Sequence, residues 1–183
     1  ERILAAHVLI IGAGGLGSPA SLYLGSAGIG KLTLVDHDAV DITNLQRQIA
    51  HTTARVGMPK VESIRQAVHA INPEVQIECI EERATDELLD RLVPQASIVL
   101  DCTDNYQTRQ RINAACVRHG VALVEGAAIR LDGQIMVIDP RDLDSPCYAC
   151  IFTPEAEFEE VQCSTMGVFA PLVGLIGTQQ AAE

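Results

Sequence analysis

Val8-Leu9-Ile10-Ile11-Gly12-Ala13-Gly14-Gly15-Leu16-Gly17 is the stretch that decides the fold. An apolar run that breaks into a glycine-rich turn and continues into a helix is typical of the start of a phosphate-binding βαβ unit. Glycine lets the backbone approach a ligand closely, and a helix N-terminus directs free N–H groups at it. Asp36 ends the next apolar run, about 20 residues further on, where an acidic residue accepts hydrogen bonds from ribose hydroxyls. We therefore expect a nucleotide to bind here, with contacts from Gly12, Gly14, Gly15, Gly17 and Asp36.

Strand and helix signals alternate along the rest of the chain. Ser18 and Pro19 read as the N-cap and first turn of the helix that follows the glycine turn. Continuous apolar strands separated by amphipathic helices predict an α/β fold, a Rossmann-like, doubly wound, mostly parallel sheet with helices on both faces. The expected strands are residues 8–11, 32–35, 75–80, 98–100, 122–124 and 134–138.

The length and the composition limit the possible functions. A chain of 183 residues that is 48% hydrophobic can bury one sizeable core, so we expect a single domain over residues 1–183. Its expected parts are a Rossmann-like core at about 7–140, a crossover loop with a Cys-x-x-Cys pair at about 141–165, and an apolar helix at about 166–183. A net charge of −11 argues against nucleic acid or an anionic membrane as a partner.

The location of the protein is also predicted from the sequence. The first seven residues do not read as a signal peptide, and the apolar region 166–177 is too short and too rich in glycine to span a bilayer. Six cysteines spread through such a pattern do not resemble a secreted disulfide scaffold. We therefore expect a cytoplasmic protein.

A second group of residues indicates which nucleotide binds. It comprises Asn44-Leu45-Gln46-Arg47-Gln48, Pro59-Lys60 and Asp104-Asn105, with Arg109 one helical turn further on. Two cations and a carboxylate at the same edge of the sheet suit a triphosphate with its magnesium ion. Taken alone, Arg47 and Lys60 are typical of solvated surface residues and Asp104 of a helix cap, but their combination with the glycine turn favours ATP.

Further motifs accompany the glycine turn along essentially the whole chain. They are Leu34-Val35-Asp36-His37-Asp38, Asn44-Leu45-Gln46-Arg47-Gln48, Val56-Gly57-Met58-Pro59-Lys60, Leu100-Asp101-Cys102-Thr103-Asp104-Asn105, Gly133-Gln134 and Pro146-Cys147-Tyr148-Ala149-Cys150. In this combination the sequence resembles the ThiF/MoeB/HesA family, the bacterial relatives of ubiquitin-activating enzymes.

The resemblance implies an ATP-dependent adenylyltransferase that forms homodimers. Members activate the C-terminal Gly-Gly carboxylate of a ubiquitin-like sulfur-carrier protein as an acyl-adenylate and release pyrophosphate. The resemblance implies that Asn44, Arg47, Gln48 and Lys60 bind the triphosphate and that Asp104, beside Asn105, binds Mg2+. Arg109 would orient Asp104 or the neighbouring loop.

Cysteines form two further candidate sites. Cys147 and Cys150 have the spacing of half a zinc site, although a redox pair or two core cysteines are the alternatives. The family supplies two more cysteines from a second Cys-x-x-Cys, expected beyond Glu183, so structural Zn2+ is predicted for the intact protein. Cys163 matches a cysteine that bonds covalently to the carrier in some ThiF-like members, but the acidic residues before it oppose thiolate formation.

Other functions remain open from the sequence alone. A dinucleotide-binding oxidoreductase that uses NAD or FAD is supported by the glycine turn and Asp36 only. An ATP-dependent tRNA-modifying dehydratase of the same superfamily is disfavoured by the acidic charge and by the cysteine pair. A non-catalytic carrier-binding module is the third alternative. Within the family, residues 126–130 resemble the molybdopterin branch and residues 113–116 the thiamine branch; we favour activation of molybdopterin synthase.

Overall fold

The computed structural model describes residues 2–142, 144–153 and 167–183 of the chain. Its centre is a six-stranded sheet. The strands are β1 His7–Ile11, β2 Lys31–Val35, β3 Gln76–Ile80, β4 Ile98–Asp101, β5 Leu123–Ile129 and β6 Asp132–Ile138. Their order in the sheet is β3-β2-β1-β4-β5-β6. The strands β1 to β5 are mutually parallel, and β6 runs antiparallel to β5.

Helices cover both faces of this sheet, which confirms the predicted fold class. The helices are α1 Arg2–Ala5, α2 Gly17–Ser26, α3 Lys60–His69, α4 Asp86–Leu92, α5 Tyr106–His119, α6 Tyr148–Ile151 and α7 Ala170–Ala182. The apolar side chains of the sheet form one core with α2, α3 and α7 and a second core, on the opposite face, with α4, α5 and α6.

The central strand β1 explains why the sequence signal was strong. Val8, Leu9, Ile10 and Ile11 are all buried, because β1 has neighbours on both edges and helices on both faces. Its carboxyl end runs directly into the glycine turn and α2. Ligands of open α/β sheets bind at this edge.

Two local predictions differ from the structure. Ser18 is not the N-cap of α2, because the helix already begins at Gly17 and the Ser18 N–H donates to the carbonyl of Gly14. Strand β5 extends to Ile129 instead of ending at Val124. Its extension passes through Gly126, where a Cβ would collide with the side chain of Gln180 on α7.

Among the described residues, no helix has the length and apolar character needed to cross a membrane.

Candidate active site

The glycine turn connects β1 to α2 and is closely packed against neighbouring residues. Gly12 has a φ of +99°, and a Cβ there would lie 2.6 Å from the carbonyl oxygen of Cys102 after β4. A Cβ on Gly17 would collide with the carbonyl of Gly12. A Cβ on Gly15 would lie 2.5 Å from Cγ1 of Val173 on α7. Glycine is therefore required at these positions by the packing around the turn.

Beside this turn lies a cavity of about 460 Å³, large enough for a nucleotide. It is bordered by the carboxyl ends of β1, β2 and β4 and by the hairpin between β5 and β6. Ten of the predicted site residues line it: Gly12, Gly14, Gly15, Asp36, Arg47, Gln48, Lys60, Asp104, Asn105 and Arg109.

Two of the residues predicted to bind the nucleotide do not line the cavity. Gly17 is buried at the start of α2. Asn44 is half-buried at the end of a 3₁₀ turn, Ile42–Asn44, whose N-cap is Asp41. Cys163 lies outside the described residues.

Asp36 connects the tip of β2 to the glycine turn. Its Oδ2 accepts a hydrogen bond from the backbone N–H of Ala13 at 2.7 Å, and its Oδ1 accepts one from the N–H of Asp38 at 2.8 Å. Each carboxylate oxygen has a second lone pair, so the side chain can still accept hydrogen bonds from ribose hydroxyls.

Lys60 enters the cavity as the first residue of α3. Its side chain is only 7% exposed, and its Nζ forms an ion pair at 2.8 Å with Oδ2 of Asp38, which is 51% exposed. Burial tends to raise the pKa of Asp38, but the hydrogen bond and the charge of Lys60 outweigh burial, and the pKa is lowered. The carboxylate thus stabilises a cation at a helix N-terminus, where a cation is otherwise unfavourable. Because Asp38 and Lys60 are 22 residues apart, no short sequence motif contains this ion pair.

Arg47 and Gln48 provide polar groups that no described residue satisfies. The guanidinium of Arg47 has no hydrogen bond or ion pair with any residue of the described ranges. The Oε1 atom of Gln48 is buried and has no donor among those same residues. Arg47 also lines the cavity, so its unpaired guanidinium is available to an anionic ligand there.

The loop after β4 is anchored by side chains of Asp101 and Arg109. Asp101 accepts hydrogen bonds from the N–H and the hydroxyl of Thr103 at 2.9 and 2.7 Å. Arg109 donates from Nη2 to the Thr103 carbonyl at 2.9 Å, and its Nε lies 3.5 Å from Oε1 of Glu125, which is 1% exposed. The hydrogen bond to Thr103 connects the loop to α5.

Asp104 follows this anchored loop and is exposed at the edge of the cavity. Asn105 next to it caps α5, because its side chain accepts a hydrogen bond from the N–H of Thr108 at 2.9 Å. A carboxylate that is free of a cationic partner in the described residues is a suitable ligand for Mg2+.

The cysteine pair lies apart from the cavity, at the start of α6. The Sγ atoms of Cys147 and Cys150 are 3.6 Å apart, and Nδ2 of Asn113 donates to Cys147. Burial tends to raise the pKa of Cys147, but hydrogen bonds from Asn113 and from the Cys150 and Ala149 backbone lower it overall. Two sulfurs bound to one zinc ion lie about 3.8 Å apart. The pair therefore fits half of a tetrahedral zinc site.

The glycine turn, the acid at the tip of β2 and the unpaired groups of the cavity define a nucleotide-binding α/β protein. The chain belongs to the ThiF family, because the model of that family matches residues 1–183. The resemblance found in the sequence is thereby confirmed.

Curated relatives match the whole chain. The molybdopterin-synthase adenylyltransferase of Escherichia coli is 48% identical over 183 residues, which are 100% of this chain and 73% of the relative. The sulfur carrier protein ThiS adenylyltransferase of the same organism is 45% identical over all of this chain and 72% of its own length. The named relatives are thus adenylyltransferases.

Solved structures of enzymes with bound ATP are similar to this chain. MccB of Escherichia coli with ATP has a TM-score of 0.84 and 25% identity, over 99% of this chain and 55% of MccB. The E. coli tRNA N6-threonylcarbamoyladenosine dehydratase TcdA, in complex with ATP, has a TM-score of 0.67 and 32% identity over 69% of this chain and 53% of TcdA. The chain spans only about half the length of these proteins.

Proposed function

We propose that this protein is an ATP-dependent adenylyltransferase that activates the C-terminal glycine carboxylate of a ubiquitin-like sulfur carrier. The products are a carrier acyl-adenylate and pyrophosphate. The observation that carries the proposal is the position of Arg47, Lys60 and Asp104 around one cavity beside the glycine turn. The adenylyltransferase relatives at 45% and 48% identity support the same reaction.

The charges of the site suit this chemistry. A carboxylate attacks the α-phosphate only if the repulsion between two anions is overcome and the two groups are aligned. Arg47, which has no partner among the described residues, and Lys60, which is held by Asp38, would neutralise phosphate charge and stabilise the charge that develops on pyrophosphate. Asp36 would hold the ribose and Gln48 would contact the phosphates, whereas the phosphate contact of Asn44, which does not line the cavity, stays a prediction.

Asp104 would hold Mg2+, with Asn105 beside it. When bound there, the ion supplies further charge neutralisation at the triphosphate. The loop that carries Asp104 is anchored through Thr103 by Asp101 and Arg109, so the carboxylate is positioned before the ion arrives.

Cys147 and Cys150 would hold structural Zn2+ together with two further thiolates of the intact protein. They lie away from the nucleotide cavity, so their role would be to stabilise the fold. We also propose a homodimer, as the family implies, and a cytoplasmic location. A covalent bond between Cys163 and the carrier stays a prediction.

The carrier is the small subunit of molybdopterin synthase or the thiamine sulfur carrier. We favour the molybdopterin branch because of residues 126–130, which continue β5 beside the cavity. Since the relatives include enzymes of both branches at similar identity, co-purification with each carrier is the deciding measurement.

A tRNA-modifying dehydratase is the second candidate, supported by the structural match to TcdA. That match covers 69% of this chain, whereas the match to MccB covers 99%. A net charge of −11 also disfavours tRNA binding. ATP turnover that rises on addition of tRNA would support this alternative.

ATP–pyrophosphate exchange tests the proposed function. The intact protein, Mg2+ and a carrier that ends in Gly-Gly should exchange labelled pyrophosphate into ATP, and a carrier without its last glycine should not. Failure of exchange with both candidate carriers, together with tight binding of NAD, would favour the oxidoreductase instead.

A further inference from the structure

His51 is a buried histidine directly behind the glycine turn. It is 5% exposed and does not line the cavity. Its Nε2 lies 3.0 Å from the carbonyl oxygen of Ala13, and its Nδ1 lies 2.9 Å from Oγ of Ser63 on α3.

The partners of His51 fix its tautomer. A backbone carbonyl only accepts hydrogen bonds, so Nε2 carries the proton and donates to Ala13. Nη1 of Arg55 donates to Oγ of Ser63 at 3.2 Å, which leaves the Ser63 hydroxyl proton for Nδ1 of His51. Burial lowers the pKa of His51, which agrees with a neutral ring.

The Ala13 peptide groups are therefore held from two sides. The N–H of Ala13 is bound by Asp36, and its carbonyl is bound by His51. Because a trans peptide is planar, the carbonyl of Ala13 and the N–H of Gly14 point in opposite directions. With the carbonyl held by His51, the N–H of Gly14 is directed away from His51, and Gly14 lines the cavity.

We propose that His51 is a positioning residue for nucleotide binding: it fixes the Ala13–Gly14 peptide so that the Gly14 N–H is oriented for a phosphate oxygen. Through Ser63 it also connects the glycine turn to α3, the helix that begins with Lys60. This inference rests on the proposed ATP-binding function.

Binding of ATP with Mg2+, measured by calorimetry on the intact protein, tests the inference. His51→Leu removes the donor to Ala13 and should raise the Kd for ATP about tenfold or more. His51→Gln keeps a donor and an acceptor on a side chain of similar reach and should restore most of the affinity. The kcat of pyrophosphate exchange at saturating ATP should change little.

His69→Leu is the matched control. Nε2 of His69 also contacts a backbone carbonyl, that of Val75 at 3.1 Å, but at the far end of α3. This variant should lower the melting temperature without changing the Kd for ATP. An unchanged Kd in a folded His51→Leu protein, or the same loss of affinity in His69→Leu, would overturn the inference.

Ser63→Ala decides the question if His51→Leu does not fold. This change removes the donor to Nδ1 of His51, and a Kd for ATP raised several-fold supports the inference, whereas an unchanged Kd refutes it. Wild-type protein that does not bind ATP at all contradicts the proposed function instead, so the two failures are distinguishable.

Discussion

Replacement of Lys60 by methionine should separate catalysis from stability. Methionine keeps an unbranched stem of similar reach and removes the ammonium that forms the ion pair with Asp38. Since Asp38 is 51% exposed, water can solvate the carboxylate that is left behind. The free energy of unfolding should therefore fall by only about 1 kcal/mol or less.

The effect on adenylation should be much larger. A charged donor directed at a developing oxyanion in an enclosed site contributes roughly 3–4 kcal/mol, which corresponds to about 10²- to 10³-fold in rate. The assay is carrier-dependent pyrophosphate exchange, with urea unfolding measured on the same protein samples.

Lys31→Met is the matched control for this experiment. Lys31 forms a comparable ion pair with Glu78 at 2.7 Å, but it lies at the amino end of β2, away from the cavity. The control should retain its exchange rate and lose a similarly small amount of stability. A Lys60→Met protein that exchanges pyrophosphate within about threefold of wild type would refute the reasoning, because removal of such a donor costs far more.

Three further predictions concern the other parts of the molecule. Asp104→Asn should raise the Mg2+ concentration needed for half-maximal exchange and lower the maximal rate about 100-fold; an unchanged Mg2+ titration would contradict its assignment. Burial raises the pKa of Glu125 to about 7, so the unfolded chain loses this proton near pH 4.5 and the folded chain retains it until about pH 7. Stability should therefore decrease as pH rises from 4.5 to 7, by up to about 1.4 kcal/mol per unit, and Glu125→Gln should flatten this dependence in urea unfolding; equal slopes would contradict it. Cys147→Ser should remove zinc from the intact protein, measured by elemental analysis, and zinc retained in the variant would exclude this ligand.

The fold could be predicted because its signals are local. The apolar run of β1, the glycine turn and Asp36 follow one another in sequence, and each has a direct physical cause. The exact ends of the elements could not be predicted in the same way. Serine is a preferred N-cap residue, so Ser18 was expected to precede the helix, but α2 already begins at Gly17.

Residues that act through distant partners were not predicted. Glu125 is a single charge in an apolar strand, and only the fold brings Arg109 to it. The partners of His51 are 38 and 12 residues away along the chain, so no short motif contains the contacts. The role of Asp38 was missed for the same reason, because Lys60 is 22 residues further on. The acidic pair Asp36 and Asp38 beside the nucleotide cavity was the available signal.

Mass spectrometry of the carrier tests the central claim most directly. After incubation of the intact protein with ATP, Mg2+ and a carrier ending in Gly-Gly, the carrier should gain the mass of one adenylyl group at its C-terminus. Lys60→Met should not form this adduct at a comparable rate. A carrier that stays unmodified while ATP is bound and consumed would contradict the account.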